Sequence, residues 1–324
     1  MFRFFIIFAL IFICVSPFHR FLLNNLTRAG SDAQNKCISS VENKTAHFSN
    51  SQLSTTDEIS ALLCGKNIST QSRQSLYAVS GLIHLFVVSG SHFILLEKLA
   101  CFFRVPLLVR LTLHTAFLFF SGFQPPAARF FIQFILFTGF FQNSSGLRSD
   151  QKTFLSGILT LCLFPSWITS LSFLLSWAAS LIISCCQEIT NITHRILLRQ
   201  IFIFLILFPL LCHIQTPHPL SIPLNLLLGD LLGITLLPLA VLAVFFQSAF
   251  LLMEFLLMSL SRFLEIIFHT TWHRLLVVDV PAFLPQPWMA TWVLLIHALV
   301  HLVLIKWRRQ QLMRSFPQPT GLEK

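Results

Sequence analysis

Apolar residues run through this chain in long, nearly continuous stretches, and polar residues gather into a few short interruptions and one long segment near residues 18–75. A helix crossing a bilayer core needs about 20 mainly apolar residues, so runs of this kind predict membrane spans. On that criterion candidate spans fall near 2–17, 81–103, 107–123, 127–142, 153–165, 167–187, 197–213, 222–242, 244–267 and 288–306, several of them short. The runs do not alternate residue by residue, which argues against a transmembrane β-barrel. The expected fold is therefore all-α, a polytopic transmembrane helix bundle of about eight to ten spans. Between 244 and 287, Glu254, Arg262, Glu265, His269 and Arg274 interrupt the apolar pattern as in an interfacial amphipathic helix, which would change the span count.

Composition strengthens this reading. Of 324 residues, 55% are apolar and only 10% are charged, whereas soluble domains carry about 25% charged residues. Too few charges remain to cover a surface facing water, which excludes an ordinary cytosolic enzyme. The chain has 36 Phe and a single Tyr, as suits hydrocarbon, where a phenol needs a hydrogen-bond partner and a phenyl ring does not.

The formal net charge of +10 places the basic residues rather than implying a nucleic-acid ligand. Arg3, Arg104 with Arg110, Arg148 with Lys152, Arg195 with Arg199, and the terminal Lys306, Arg308, Arg309 and Arg314 all fall on one side if ten spans hold. That side is cytoplasmic, with both termini on it, and a bacterial cytoplasmic (inner) membrane is the expected location. The organisation expected is an N-terminal membrane anchor at 1–23, an extracytoplasmic loop at 24–75, a transmembrane domain at 76–306 and a basic cytoplasmic tail at 307–324. Six of the eight Cys lie in apolar runs, where a thiol acts as a small hydrophobe. Cys37 and Cys64 lie in the polar segment instead, and can pair as a disulfide if that segment faces an oxidising compartment.

The most unusual stretch is 81–98, where Gly81, His84, Ser89, Gly90, Ser91 and His92 interrupt a span. Polar groups at bilayer depth are costly, so they face a protein interior or a hydrated cavity and are candidates for function. His84 and His92 stand about 80° apart on a continuous helix; Gly90 can break that helix near 84–92, which is tolerated where the freed backbone lines a cavity. Close helix packing by Ser and Gly is the bland alternative. A serine hydrolase lacks an orienting carboxylate other than Glu97, and the His spacing fits no zinc pattern, so neither catalysis, a metal nor a cofactor is expected. Pro125 and Pro126 suit a turn and a first helical turn, with Arg129 one turn on. Arg129 either snorkels to the interface or points into a polar path where it meets phosphate. Asn225 and Asp230 lie in an otherwise apolar span, as a contact between helices or as part of a path.

These residues resemble a known family, the ComEC family of competence proteins, over about residues 55–305. Ala61-Leu-Leu-Cys-Gly65 followed by Gly81-Leu-Ile-His-Leu-Phe-Val-Val-Ser-Gly-Ser-His92 is similar to the family's leucine-rich Gly segment and its His-Leu…Ser-Gly-x-His helix. Pro125-Pro126 with Arg129 resembles its Pro-x-x-x-Arg turn, Leu171 to Ala179 its Gln-Leu-Ser-x-x-Ala span, and Pro217 to Pro238 with Asn225 its Pro…Asn…Pro segment. Ser91 stands where the family usually has Leu, and Phe173 where Gln is expected. The polar segment is short for the family's OB-type domain, and the His-x-His-x-Asp-His ligand set of its metallo-β-lactamase-like domain is not found in this sequence.

The resemblance implies a component of an inner-membrane channel for single-stranded DNA in natural transformation, with no enzymatic activity of its own. His84, Ser89, Gly90 and His92 would shape the pathway, Arg129 would contact phosphate, and Gly81, Pro125, Asn225 and Asp230 would support it. Single-stranded DNA and the lipid bilayer are the expected partners, together with a separate DNA receptor, nuclease and ATP-driven motor, since no P-loop is present; a homo-oligomer is compatible. The alternatives are a polytopic transporter of another solute and a diverged membrane scaffold that transports nothing.

Overall fold

The computed structural model describes residues 17–48, 53–86, 90–140, 147–187, 189, 191–213, 218–269, 285, 288–300 and 302. Among them the fold is all helical. The polar segment contains α1 (Pro17–Ala46), α2 (Leu53–Cys64) and the start of α3 (Gln71–Val79). The chain continues through α4 (Ile83–Phe86), α5 (Gly90–Phe102), α6 (Leu107–Phe120) and α7 (Pro125–Phe134), which runs on as a π-helical stretch, Ile135–Phe140. Then come α8 (Ser149–Leu163), a 3-10 turn (Pro165–Thr169), α9 (Leu171–Cys186) and α10 (Ile192–Leu211). Helix α11 (Ser221–Leu224) leads through a second π-helical stretch, Asn225–Gly229, into α12 (Asp230–Ala243), followed by α13 (Gln247–His269) and α14 (Met289–Val300).

Local chemistry sets several of these boundaries. Pro125 and Pro126 occupy the first turn of α7, where a missing N–H costs nothing. The Asn191 side chain accepts from the His194 N–H at 3.1 Å and opens α10, a helix-capping role to which Asn is suited. Helix α13 buries Phe250, Met253, Leu257, Leu260, Leu264 and Phe268, a spacing of three and four residues that puts them on one face. Its Arg262 and Glu265 are exposed.

Two packed regions result. In one, α2, α3 and α4 lie against α12 and α13 around Ile59, Leu62, Tyr77, Leu236, Ala240 and Met253. In the other, α9 lies between α8 and α10 and beside α7, with Trp177 at its centre. Gly157 of α8 packs so closely on the Trp177 ring that no side chain fits there. The stretch from Gly81 to Phe102 joins the two regions, since α5 packs on both α7 and α12.

The number of long spans differs from the sequence expectation. Among the described residues α10 is long and apolar enough to cross a membrane, and Ser221–Gly229 with Leu231–Ala243, bent by 53°, makes a second if the pair counts as one. Leu107–Phe120, Leu171–Cys186 and Met289–Val300 are apolar but shorter. Hydropathy runs straight through the π-helical stretches and turns that divide the backbone, so a continuous apolar run overstates helix length. The break expected at 84–92 includes residues 87–89, which lie outside the described residues, as do most of the first expected span and the tail at 307–324. Helix α13 also presents Leu251, Phe255 and Ile266 outward, so its apolar character is not confined to one side.

The N-terminal helices are knitted together by a disulfide and ion pairs. Cys37 and Cys64 are bonded, with Cα atoms 5.8 Å apart. Lys66 reaches Asp57 at 2.7 Å and Glu42 at 2.8 Å, and the Ser69 N–H donates to Asp57 at 2.7 Å. Burial pushes the Asp57 carboxyl up, but hydrogen bonds from Lys66 and Ser69 and the Lys66 charge outweigh it and hold the group below its usual range. Lys66 is shifted upward: burial opposes its charge, and Asp57 and Glu42 more than offset that. A carboxyl held low contributes stability that is complete above its unfolded pKa and disappears as pH falls through the folded value. The thermal midpoint of the purified full chain is therefore expected to fall below about pH 4. In Asp57→Asn the midpoint at pH 6 is lower and its acid dependence flatter, as thermal unfolding monitored from pH 3 to 6 would show.

Candidate functional site

Arg129 lies on the inner face of α7 and is 1% exposed. Its guanidinium donates to Ser180 Oγ at 2.7 Å, Ser176 Oγ at 3.2 Å and Gln133 Oε1 at 3.4 Å. All three partners are neutral. Among the described residues no carboxylate pairs with it, and its Nε has no hydrogen-bond partner. Snorkelling, one of the two sequence expectations for Arg129, would expose the guanidinium, and the structure buries it instead. Gly90 opens α5 directly beside it: a Cβ there would sit 3.5 Å from the guanidinium, so the backbone approaches the charge unobstructed.

The hydroxyls around Arg129 come from regular helical spacing. Ser176, Ser180 and Ser184 recur every four residues on α9, and Thr153, Ser156 and Thr160 recur at three and four on α8, which aligns each set on one face. The two faces meet: Thr153 Oγ1 and Ser184 Oγ are 2.9 Å apart, and Ser156 donates to Gln133 at 3.3 Å. Ser176, Ser180 and Gln133 remain half-buried while Ser156, Thr160 and Ser184 are buried. A polar seam thus runs between α7, α8 and α9, with a positive charge at one point along it.

A second contact holds the other end of the 81–92 stretch. Gly81 has φ +74, a backbone conformation that favours glycine. A Cβ on it would come within 2.6 Å of Asn225 Nδ2 and 2.9 Å of Ser221 Cβ. Asn225 donates back to the Ser221 carbonyl at 2.8 Å, its Oδ1 is buried without a partner among the described residues, and it begins the π-helical stretch before the 53° bend. Breaks of this kind recur at functional sites.

The structure thus pairs Gly90 with Arg129 and Gly81 with Asn225, and separates the two histidines in environment. His92 is buried, whereas His84 is exposed and donates from Nδ1 to the Gly81 carbonyl at 2.7 Å. Pro125 starts the helix that carries Arg129. Ser89 and the Asp230 side chain lie outside the described residues. Cys37 and Cys64 belong to the knitted N-terminal helices. Sequence reasoning missed Gln133, Ser176 and Ser180; the four-residue serine spacing on 171–186 was the signal that could have found them.

The described helices thus enclose a buried cation and files of hydroxyls. The family model for Competence protein matches residues 62–310. The chain belongs to this family, through its ComEC membrane domain, and the family ties it to DNA uptake and to membrane association. No curated protein and no solved structure matches the chain.

Gly81→Ala must displace the Asn225 amide from its bond to Ser221 and strain the backbone, an expected loss of about 1–3 kcal/mol. In an Asn225→Ala background the added cost is smaller. Chemical unfolding of the two single variants and the double variant measures this coupling.

Proposed function

We propose that this chain is a polytopic inner-membrane component through which single-stranded DNA enters the cytoplasm during natural transformation. The observation that carries the reading is the Arg129 site: a buried guanidinium with neutral partners only, among the described residues, and an unpaired Nε. An isolated charge in an apolar bundle is costly, and a phosphate passing the half-buried Ser176 and Ser180 would supply the missing negative partner. Arg binds phosphate in a bidentate fork, and the contact ignores base identity, as transport of any sequence requires.

The exposed apolar residues support a lipid environment. Phe102, Leu108, Leu205, Leu231, Phe255 and Ile266 are each more than half exposed, and water would not favour so much apolar area. Short helices and the bent pair then pack as partial spans, as in transporters whose paths lie at helix breaks. In this reading Gly90 keeps the backbone clear of the phosphate, Gly81 and Asn225 fix the neighbouring break, and His84, Ser89 and His92 shape the route.

The test is cytoplasmic entry of fluorescently labelled DNA, scored apart from DNA held at the surface. Deletion is expected to abolish entry and leave surface binding intact. Arg129→Gln is expected to reduce entry about tenfold or more, with Arg129→Lys intermediate. Normal entry in the deletion strain, with no second family member present, removes the DNA reading and leaves the transporter of another solute.

A further inference from the structure

The turn that joins α5 to α6 combines apolar exposure with positive charge, and the Arg129 seam uses neither. Phe102, Phe103 and Leu108 are 78%, 70% and 77% exposed, and the two phenyl rings meet edge to face with centroids 5.1 Å apart. Lys98, one turn before Phe102, and Arg104, directly after Phe103, are exposed beside them. The single acidic residue between positions 90 and 120 is Glu97. It is engaged by Arg110 at one oxygen and by His114 at the other, 3.0 Å away. Arg110 answers its charge, so Lys98 and Arg104 leave the hairpin with two uncompensated positive charges. Neither takes part in an ion pair among the described residues.

The backbone at Arg104 shows that its side chain is not incidental. The Val105 N–H donates to the Ala100 carbonyl at 2.8 Å and the Arg104 N–H to the Cys101 carbonyl at 3.0 Å, the pattern that closes a helix around a left-handed residue, most often glycine. Arg104 takes that position with φ +54. Among the described residues the other left-handed positions are Gly65, Gly81, Gly122 and Phe123. Three are glycines, and Phe123 is buried against Phe119, Phe164 and Trp167, so its ring repays the strain through packing. Arg104 is exposed and has no such return within the fold. The helix dipole favours a cation at this end, but by less than a left-handed backbone costs a side chain. The use of Arg104 therefore lies outside the chain.

Its neighbours say what it meets there. Phenyl and leucyl groups flanked by cations suit the boundary between acyl chains and headgroups, where long basic side chains reach outward from apolar surroundings. Lysine is depleted from protein–protein interfaces, so Lys98 beside Phe102 favours lipid as the occupant, in keeping with the family's membrane association. Two cations without a free carboxylate gain more from a headgroup of net negative charge than from a zwitterion.

We propose that the α5–α6 hairpin is a binding site for an anionic phospholipid, with Phe102, Phe103 and Leu108 among the acyl chains and Lys98 and Arg104 on the headgroup phosphate. The site rests on membrane association and is independent of what passes Arg129.

The full chain reconstituted in mixed phosphatidylcholine and phosphatidylglycerol vesicles, with one or the other lipid brominated, tests this. Quenching of the tryptophan introduced by Phe102→Trp, read as the difference from the chain without it, reports the lipid lying against the hairpin. Phosphatidylglycerol is expected to be favoured about fivefold or more. Added in that background, Lys98→Gln or Arg104→Gln lowers the preference about twofold or more, and about 0.5 M salt brings it toward equality. Arg104→Gly separates charge from fold: glycine suits the backbone, so the thermal midpoint holds or rises while the preference falls as in Arg104→Gln. No quenching by either lipid places the hairpin outside the bilayer or under a protein, and equal quenching by both leaves it in lipid with no headgroup recognised; each overturns the site. An Arg104→Gly chain that keeps the full preference also overturns it, because the charge is then not what selects the lipid. Variants that keep the lipid preference but lose binding of a single-stranded oligonucleotide assign the two cations to nucleic acid instead.

Discussion

A guanidinium does not lose its charge inside a protein, and burying one costs several kcal/mol unless the surroundings replace water. That constraint governs the helices around Arg129. The facing helix α9 must offer oxygen at the right height, and Ser176 and Ser180, one turn apart, both reach the guanidinium. Helix α7 must return an acceptor one turn on, which Gln133 does. Helix α5 comes close through Gly90, where even a Cβ would stand 3.5 Å from the guanidinium. An alanine at 180 would remove the shortest of these bonds and leave a donor stripped of water.

The same economy of small groups explains how two packed regions share one linking stretch. Within residues 81–102, Gly81 touches the broken helix and Gly90 lies beside Arg129. The first contact works through an absent side chain: at Gly81 a Cβ would collide with Ser221 and Asn225, whereas at Gly90 it would meet Arg129 at ordinary contact distance. The break at Asn225 meets the linker where backbone groups freed from regular helical bonding can be useful.

Helical fold class was legible from long apolar runs, because hydrophobic burial and backbone satisfaction in a bundle leave few other solutions. Helix lengths were not, because Ile135–Phe140 and Asn225–Gly229 change backbone geometry without any change in hydropathy. Arg129, Gly90, Gly81 and Asn225 stood out as polar or small residues in apolar runs, but which of them meet depends on contacts between distant segments that spacing cannot reveal. The helical polar segment at 18–75 was obscured because its stability comes from the Cys37–Cys64 bond and the pairs of Asp57 and Glu58 with Lys66 and Arg73. Glu97 and His114 look unremarkable alone, since seventeen residues and a turn separate them in sequence.

Elsewhere the chain meets acid with base. Among the described residues Asp57 pairs with Lys66, Glu58 with Arg73, Glu97 with Arg110 and Asp150 with Arg148. Such pairing is what desolvation demands of carboxylates taken out of water. Arg129 is more deeply buried than any of these cations and receives only neutral oxygens. Acidic residues are therefore available to this fold, and their use at four other cations makes their omission at Arg129 a property of the site. A carboxylate placed there would satisfy the guanidinium permanently and compete with any anion that arrived. Hydroxyls hold the charge in place at lower electrostatic strength and leave it able to exchange partners, as the proposed phosphate path would require of a site along it.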